Sequence, residues 1–413
     1  MTRFIIFFST ISLFLFGLVE PYLYRTLKKL YFQNKVYRKI RFAYFFFLTL
    51  SVISIVTMIT YYSSGYAKFD KYGNWAAGYF FANLISKIFL ILLLSIIDSG
   101  LFIKKRVFKN QSSSSRRKFV KKAAILTSFF PFASLIYGTL KGRYQFKVFR
   151  QPLSFIDLPK SFSGFRIAQI SDVHSGSWDN LEEFEKGLNI LMQEKPDMIL
   201  LTGDLVNNIA EEAEPFVKLF QKLSAPYGMY AVMGNHDYGY HYHWKSEDQK
   251  AANIQNVKRQ YARMGFELLN NSSKLISKNG DKIRLLGIEN WGKFPFPQYG
   301  DLNLALKNVD PQEFKILMSH DPDHWEQWTL AHPYKVHLTL SGHTHGSQMG
   351  VDIPGFKFSP VMLRYKRWIG LYREGEEYLY VNRGFGYIGY PGRVGIRPEI
   401  TIFNLNSKST LSC

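Results

Sequence analysis

The stretch Tyr230-Ala231-Val232-Met233-Gly234-Asn235-His236-Asp237 carries four apolar residues into a glycine and then three side chains able to hold metal or move protons. A short apolar run closed by a turn signal reads as a buried strand, here over 228–233. Gly234 permits the sharp exit and close backbone approach that a ligand-bearing turn requires. The same construction recurs along the chain. A strand at Phe165–Ile170 runs into Ser171-Asp172-Val173-His174, and one at 197–201 runs into Thr202-Gly203-Asp204. Further strands at 314–318 and 336–340 run into Ser319-His320-Asp321 and Gly342-His343-Thr344-His345, and 283–288 is another strand. Leu181–Gln193 and 210–223 read as helices between them. Alternating segments of this kind predict a layered α/β architecture.

Ligands of α/β sheets gather outside the carboxyl ends of strands, so five such ends can converge on one crevice. In an extended segment residues i and i+2 point the same way, which lets Asp-x-His and His-x-His each face a metal centre. Asp, Asn and His without thiolates suit manganese, iron or zinc. The ligands are too many for one ion, and a carboxylate such as Asp204 can bridge two. Two metals roughly 3.5–4 Å apart are the usual arrangement for displacement at phosphorus.

As an ordered set, Asp-x-His, Gly-Asp, Gly-Asn-His-Asp, His and Gly-His-Thr-His resembles the calcineurin-like metallophosphoesterase superfamily, over residues 165–345. Ser341 to Gln348, with Asn382-Arg383-Gly384-Phe385-Gly386 and Arg397-Pro398-Glu399-Ile400, resembles its membrane-associated bacterial branch, where Ser347 is more often Gly. The resemblance implies an α/β/β/α sandwich and two divalent metals, manganese favoured over iron or zinc. It implies that Asp172, His174, Asp204 and His345 hold one metal, and that Asp204, Asn235, His320 and His343 hold the other. His236 is then catalytic, lying over the phosphate and protonating the leaving oxygen, with Asp237 orienting it. Water is the implied nucleophile, with no covalent enzyme intermediate. His324 competes with His320, which is preferred because it directly follows the apolar run. Arg383 and Arg393 have the chemistry to hold a phosphate. The aromatic segment 238–244 reads as a substrate rim or a packed loop, and 291–299 as loop packing or a segment dipping toward a bilayer.

Charge and hydropathy divide the chain. Residues 1–145 hold 22 Lys and Arg against three acids, a net of +19, whereas 146–413 holds 30 basic and 29 acidic residues. The basic excess therefore lies among hydrophobic runs, and no nucleic-acid footprint remains. The single cysteine, Cys413, has no partner for an internal disulfide. Apolar stretches at 4–19, 42–62, 79–103 and 123–140 predict about four transmembrane helices in a membrane domain, 1–145, ahead of a phosphoesterase domain, 146–413. Loops 20–41 and 104–122 carry seven and nine basic residues, so both are expected in the cytoplasm of a bacterial cell membrane, with the catalytic domain outside. Ser115-Arg116-Arg117-Lys118-Phe119-Val120-Lys121 resembles a twin-arginine export motif, implying the export machinery as a partner; it reads equally as a basic flank. Asp98 and Lys87 are the charges expected within the spans, Asp98 near the interface beside Lys104 and Lys105.

The expected function is two-metal hydrolysis of a phosphoester at the membrane, with a phosphodiester or pyrophosphate of a lipid-linked or nucleotide-sugar substrate favoured by the resemblance. The alternatives are a membrane sensor or scaffold with a silent phosphoesterase domain, whose sign is a lost ligand, and a transporter with an accessory hydrolase. No ligand is missing from the set.

Overall fold

A computed structural model describes residues 10–32, 34–63, 71–107 and 114–408. They form two units, one containing the chain up to Leu140 with Tyr390–Gly392, the other Lys141–Gly389 with the chain from Arg393.

The first unit is helical: α1 (Glu20–Tyr31), α2 (Tyr37–Ser63), α3 (Lys71–Val107), α4 (Ser114–Thr127) and α5 (Phe129–Leu140). Three candidate spans, Tyr37–Thr60, Lys71–Lys104 and Ser114–Leu140, are long and apolar enough to cross a membrane, which makes the chain an integral membrane protein. Their outward side chains include Phe46, Ile53, Leu92 and Ile96, as helices facing lipid rather than water require. The expected first span, 4–19, falls partly outside the described residues. Its described end is a π-helical turn, Leu15–Val19, that runs on into α1. Glu20, read from sequence as a loop acid, instead pairs with Lys87, and Tyr44 Oη donates to its Oε2 at 2.6 Å. An ammonium among apolar helices needs such a counter-charge. Asp98 likewise pairs with Lys121 and accepts from Tyr22 Oη.

In the second unit the strands are, in chain order, β1 (Lys147–Phe155), β2 (Phe165–Ile170), β3 (Met198–Thr202), β4 (Met229–Val232), β5 (Glu267–Leu268), β6 (Ser272–Lys278) and β7 (Asp281–Gly287). They continue with β8 (Lys315–Met318), β9 (Leu338–Ser341), β10 (Val351–Ile353), β11 (Phe356–Phe358), β12 (Gly370–Glu374), β13 (Glu377–Val381) and β14 (Glu399–Ser407). One sheet has the order β1-β14-β2-β3-β4-β5 and the other β12-β13-β9-β8-β7-β6, with β10-β11 a separate hairpin.

Alternation along the central strands explains the layers. Ile167, Met198 and Leu200 face Leu285, Ile316 and Leu338 between the sheets. Their neighbours Ala168, Ile199 and Leu201 face outward onto Phe184 and Leu188 of helix α6 (Leu181–Gln193) and Val257 and Tyr261 of helix α7 (Glu247–Arg263). Leu286 and Leu317 bury the outer face of the second sheet under the segment from Leu302 to Val309. The result is the α/β/β/α sandwich. Strands β2, β3 and β4 are mutually parallel, as are β8 and β9, so each set brings its carboxyl ends to one edge. The expected helix over 210–223 is a 3₁₀ segment, Ala210–Phe216, followed by one turn, Val217–Phe220; Pro215 inside it removes an amide donor.

Candidate metal centre

All five strand-end motifs meet. Asp172, His174 and His345 form one cluster and Asp204, His320 and His343 a second, with ligand atoms in each within 4.8 Å of one another. Asp204 touches both: its Oδ2 lies 3.1 Å from His320 Nε2 and 3.6 Å from His174 Nε2. Asn235 Oδ1 lies 2.8 Å from His343 Nδ1, placing the amide beside the second cluster.

The backbone reaches this geometry differently from the extended alternation expected of Asp-x-His. Asp172, His174, Asp204, His343 and His345 all have positive φ, between 49° and 72°. Non-glycine residues rarely adopt that region, and its concentration at one site marks strain that the surrounding fold must hold. The neighbouring glycines leave no room for a side chain. A Cβ on Gly234 would stand 2.2 Å from Asp204 Oδ1, and one on Gly342 would stand 2.2 Å from Asp172 Oδ2.

The donor set fits cations. His320 Nδ1 donates to the carbonyl of Thr202 at 2.7 Å, which leaves Nε2 as a bare lone pair. That lone pair faces the Asp204 carboxylate in a buried pocket yet makes no hydrogen bond. His174 Nδ1 donates to Asn207 Oδ1 at 3.1 Å, so its Nε2 lone pair in turn faces His345 Nε2 at 3.0 Å. Carboxylates and imidazoles crowded together out of water favour positive charge between them. The electrostatics agree. Burial opposes ionisation of Asp172 and Asp204, yet positive charge at the neighbouring imidazole positions, which cations would supply, holds both below the usual carboxylate range. Burial pushes His343 down to about 3, which keeps its imidazole neutral. Two His/Asp clusters of this composition are consistent with a binuclear metal site.

One sequence expectation changes. Asp237 does not orient His236. Its carboxylate accepts from the backbone amides of Asp204, Leu205, Val206 and Gly234 and from Tyr261 Oη, because the strained turn exposes those donors inside the core. His236 is set instead by the carbonyl of Asn207, 2.8 Å from its Nδ1, with its ring edge-on to His174. Both candidate arginines are buried, and Arg393 Nη2 lies 3.3 Å from His345 Nδ1. Arg383 pairs with Glu399 and Asp352, and Arg393 Nη2 donates to the carbonyls of Arg383 and Gly386. His324 stays outside both clusters, its Nδ1 3.2 Å from Thr329 Oγ1.

Sequence reading missed Asn207, which braces His174 and His236 together, and Tyr365, whose hydroxyl lies 2.7 Å from His343 Nε2. His241, within the aromatic segment 238–244, has its ring 4.9 Å from that of His236. Tyr365 sits in an irregular loop with no motif to announce it. With Nε2 on that hydroxyl, Nδ1 is the nitrogen that faces Asn235 and would be offered to a metal. Tyr365→Phe should weaken metal binding at the second cluster by about 10–100-fold with the fold intact, read by calorimetric titration with manganese. Unchanged affinity would show that Phe296, packed edge-on to His343, orients the ring alone.

Comparison with known proteins gives two family matches: calcineurin-like phosphoesterase over residues 165–347, and probable calcineurin-like phosphoesterase, transmembrane domain, over residues 2–143. An uncharacterised metallophosphoesterase of Bacillus subtilis, YkuE, is 31% identical over 253 residues, covering 60% of this chain and 82% of the relative. An uncharacterised metallophosphoesterase of Campylobacter jejuni, Cj0846, is 27% identical over 411 residues, covering 97% of this chain and 98% of the relative. Among solved structures, a phosphopantetheinyl hydrolase from Mycobacterium tuberculosis aligns with TM-score 0.30 and 13% identity over 48% of this chain and 89% of its own.

Proposed function

This chain belongs to the calcineurin-like metallophosphoesterases with an N-terminal transmembrane domain, and on that premise we propose that it hydrolyses a phosphodiester or pyrophosphate at the membrane surface. The substrate class we favour is a lipid-linked or nucleotide-sugar phosphate. The observation that carries the hydrolytic reading is the pair of buried clusters joined through Asp204, with His236 beside them. Asp172, His174, Asp204 and His345 would hold one divalent cation, and Asp204, Asn235, His320 and His343 the other, manganese being preferred to iron or zinc. Such a pair supplies Lewis acidity to the phosphoryl oxygens and raises the nucleophilicity of water.

The chain's own residues do the rest. Thr202 and Asn207 fix the tautomers of His320 and His174, so both present lone pairs inward. Asn207 holds His236 by Nδ1, which directs Nε2 to the leaving-group oxygen; Nε2 gives up a proton as the phosphorus–oxygen bond breaks. His236→Ala should lower kcat by about 10²–10⁴-fold while metal content stays at the wild-type level. The assay is turnover of an aryl phosphodiester and an aryl phosphomonoester by the full-length protein, after metal stripping and again after adding manganese. Turnover that ignores the metal would sink the reading, and so would turnover that ignores His236.

For topology, we place loops 20–41 and 104–122 in the cytoplasm, which puts the phosphoesterase unit on the outer side. Reporter fusions after Leu140 test this, and a cytoplasmic signal there would reverse it.

A further inference from the structure

Hairpin β10-β11 is amphipathic in the reverse sense of an ordinary surface hairpin. Its register pairs Val351 with Phe358 and Ile353 with Phe356, so these four side chains share one face. All four are 39–55% exposed. The other face carries Asp352 opposite Lys357, and Asp352 turns inward to accept from the buried guanidinium of Arg383 at 2.7 Å. The acid is therefore tied inside and the apolar face is turned out. The segment that follows extends the patch: Met362 is 45% exposed and Leu363 is 91% exposed. Six outward apolar side chains in 13 consecutive residues form a cluster, unlike the scattered single exposures of a water-facing surface.

The patch is rigidly joined to the metal centre. Ser359 Oγ donates to the carbonyl of Gly346, next to His345, and the amide of Gly350 donates to Val394. Two residues beyond Leu363, Tyr365 touches His343.

We propose that this apolar face seats in the interfacial layer of a lipid bilayer, beside the mouth of the metal centre. The bilayer is the occupant the chain itself selects, because the spans tether this unit to a membrane and keep that surface at high local concentration. Charge agrees: residues 350–366 carry Lys357, Arg364 and Lys366, the last two beside Asp323 and Glu326 at 3.5 and 3.6 Å, and a single acid, Asp352, which Arg383 already takes. Basic residues flanking an apolar wedge suit anionic headgroups. The surface needs no particular substrate. It stands apart from the hydrolytic reading, although it places lipid phosphates near the centre.

The test uses the full chain with Cys413→Ser and Phe356→Cys, labelled with an environment-sensitive fluorophore and reconstituted in phosphatidylethanolamine–phosphatidylglycerol vesicles. The label should be blue-shifted and lose most of its emission to spin-labelled acyl chains. The same label at Lys282→Cys, at the amino end of β7, should do neither. Phe356→Asp with Phe358→Asp should leave turnover of a soluble aryl ester unchanged. It should lower turnover of an ester embedded in the vesicles by on the order of tenfold or more. A water-like, unquenched label at 356 would overturn the proposal. So would shielding that follows protein concentration without lipid quenching, which would assign the face to a second copy.

Discussion

Asp204→Asn is expected to leave a folded protein that retains no metal pair and has lost on the order of 10⁵ in kcat/KM. Asp204 Oδ2 faces the imidazole of a histidine from each cluster, so its carboxylate is the charge both cations would share. It is also fully buried, where an amide cannot replace a negative charge facing bare imidazole nitrogens. Asn would aim two donors at atoms that need a cation, or one lone pair where two are required. Losing both cations removes several kcal/mol of transition-state stabilisation from each, roughly 7 kcal/mol together, or about five powers of ten. The backbone should tolerate the change, since Oδ1 accepts from the His236 amide and an amide oxygen can do the same. Metal content, near-ultraviolet circular dichroism and single-turnover hydrolysis measure the three parts. Two metals retained with activity within about tenfold of wild type would show that Asp204 does not join the clusters.

The centre was legible because its pieces are local. Each ligand motif follows a strand whose apolar alternation can be read from five or six residues, and parallel strands carry their ends to one edge whatever the loops between them do. That is why β2 and α6 match the expected bounds while β3, β4, β8 and β9 shift by one or two residues. Sequence reading missed what depends on long-range pairing. β1 and β14 are neighbours only because residues 147–155 and 399–407 meet across the whole unit, and no local period announces that. The hairpin β10-β11 escaped for another reason. Its alternation is clear, but it points apolar side chains outward, against the rule that patterning relies on.

Backbone conformation was the least legible part. An Asp-x-His motif can be satisfied by an extended strand, yet here both residues are left-handed. The sequence shows which side chains must meet and leaves open what the chain must bend through to let them. The surrounding structure over-determines that bend: the amide of Asp172 donates to the Gly203 carbonyl at 2.9 Å and that of His174 to the Asp204 carbonyl at 3.0 Å. Two strained turns thus hold each other, and the donors they leave over collect on Asp237.

Replacing that residue should therefore break the fold before it breaks the chemistry. Asp237 is fully buried and accepts five hydrogen bonds: Oδ2 from the amides of Asp204 and Gly234 and from Tyr261 Oη, and Oδ1 from the amides of Leu205 and Val206. In Asp237→Asn one oxygen becomes an NH₂ group, which must face at least two backbone donors. Each buried donor left without an acceptor costs about 1–3 kcal/mol, so the variant should lose roughly 3–5 kcal/mol. For a unit of this size that is a fall of about 10 °C in the melting temperature of the phosphoesterase half. Metal affinity should fall with it, since two of the lost bonds hold the turn that carries Asp204. The pH dependence of kcat in the fraction that stays folded should keep its wild-type shape, because His236 remains on the Asn207 carbonyl. An orienting role for Asp237 requires the opposite pattern: an unchanged melting temperature with a displaced pH profile. Scanning calorimetry and a pH–rate series on one preparation separate the two.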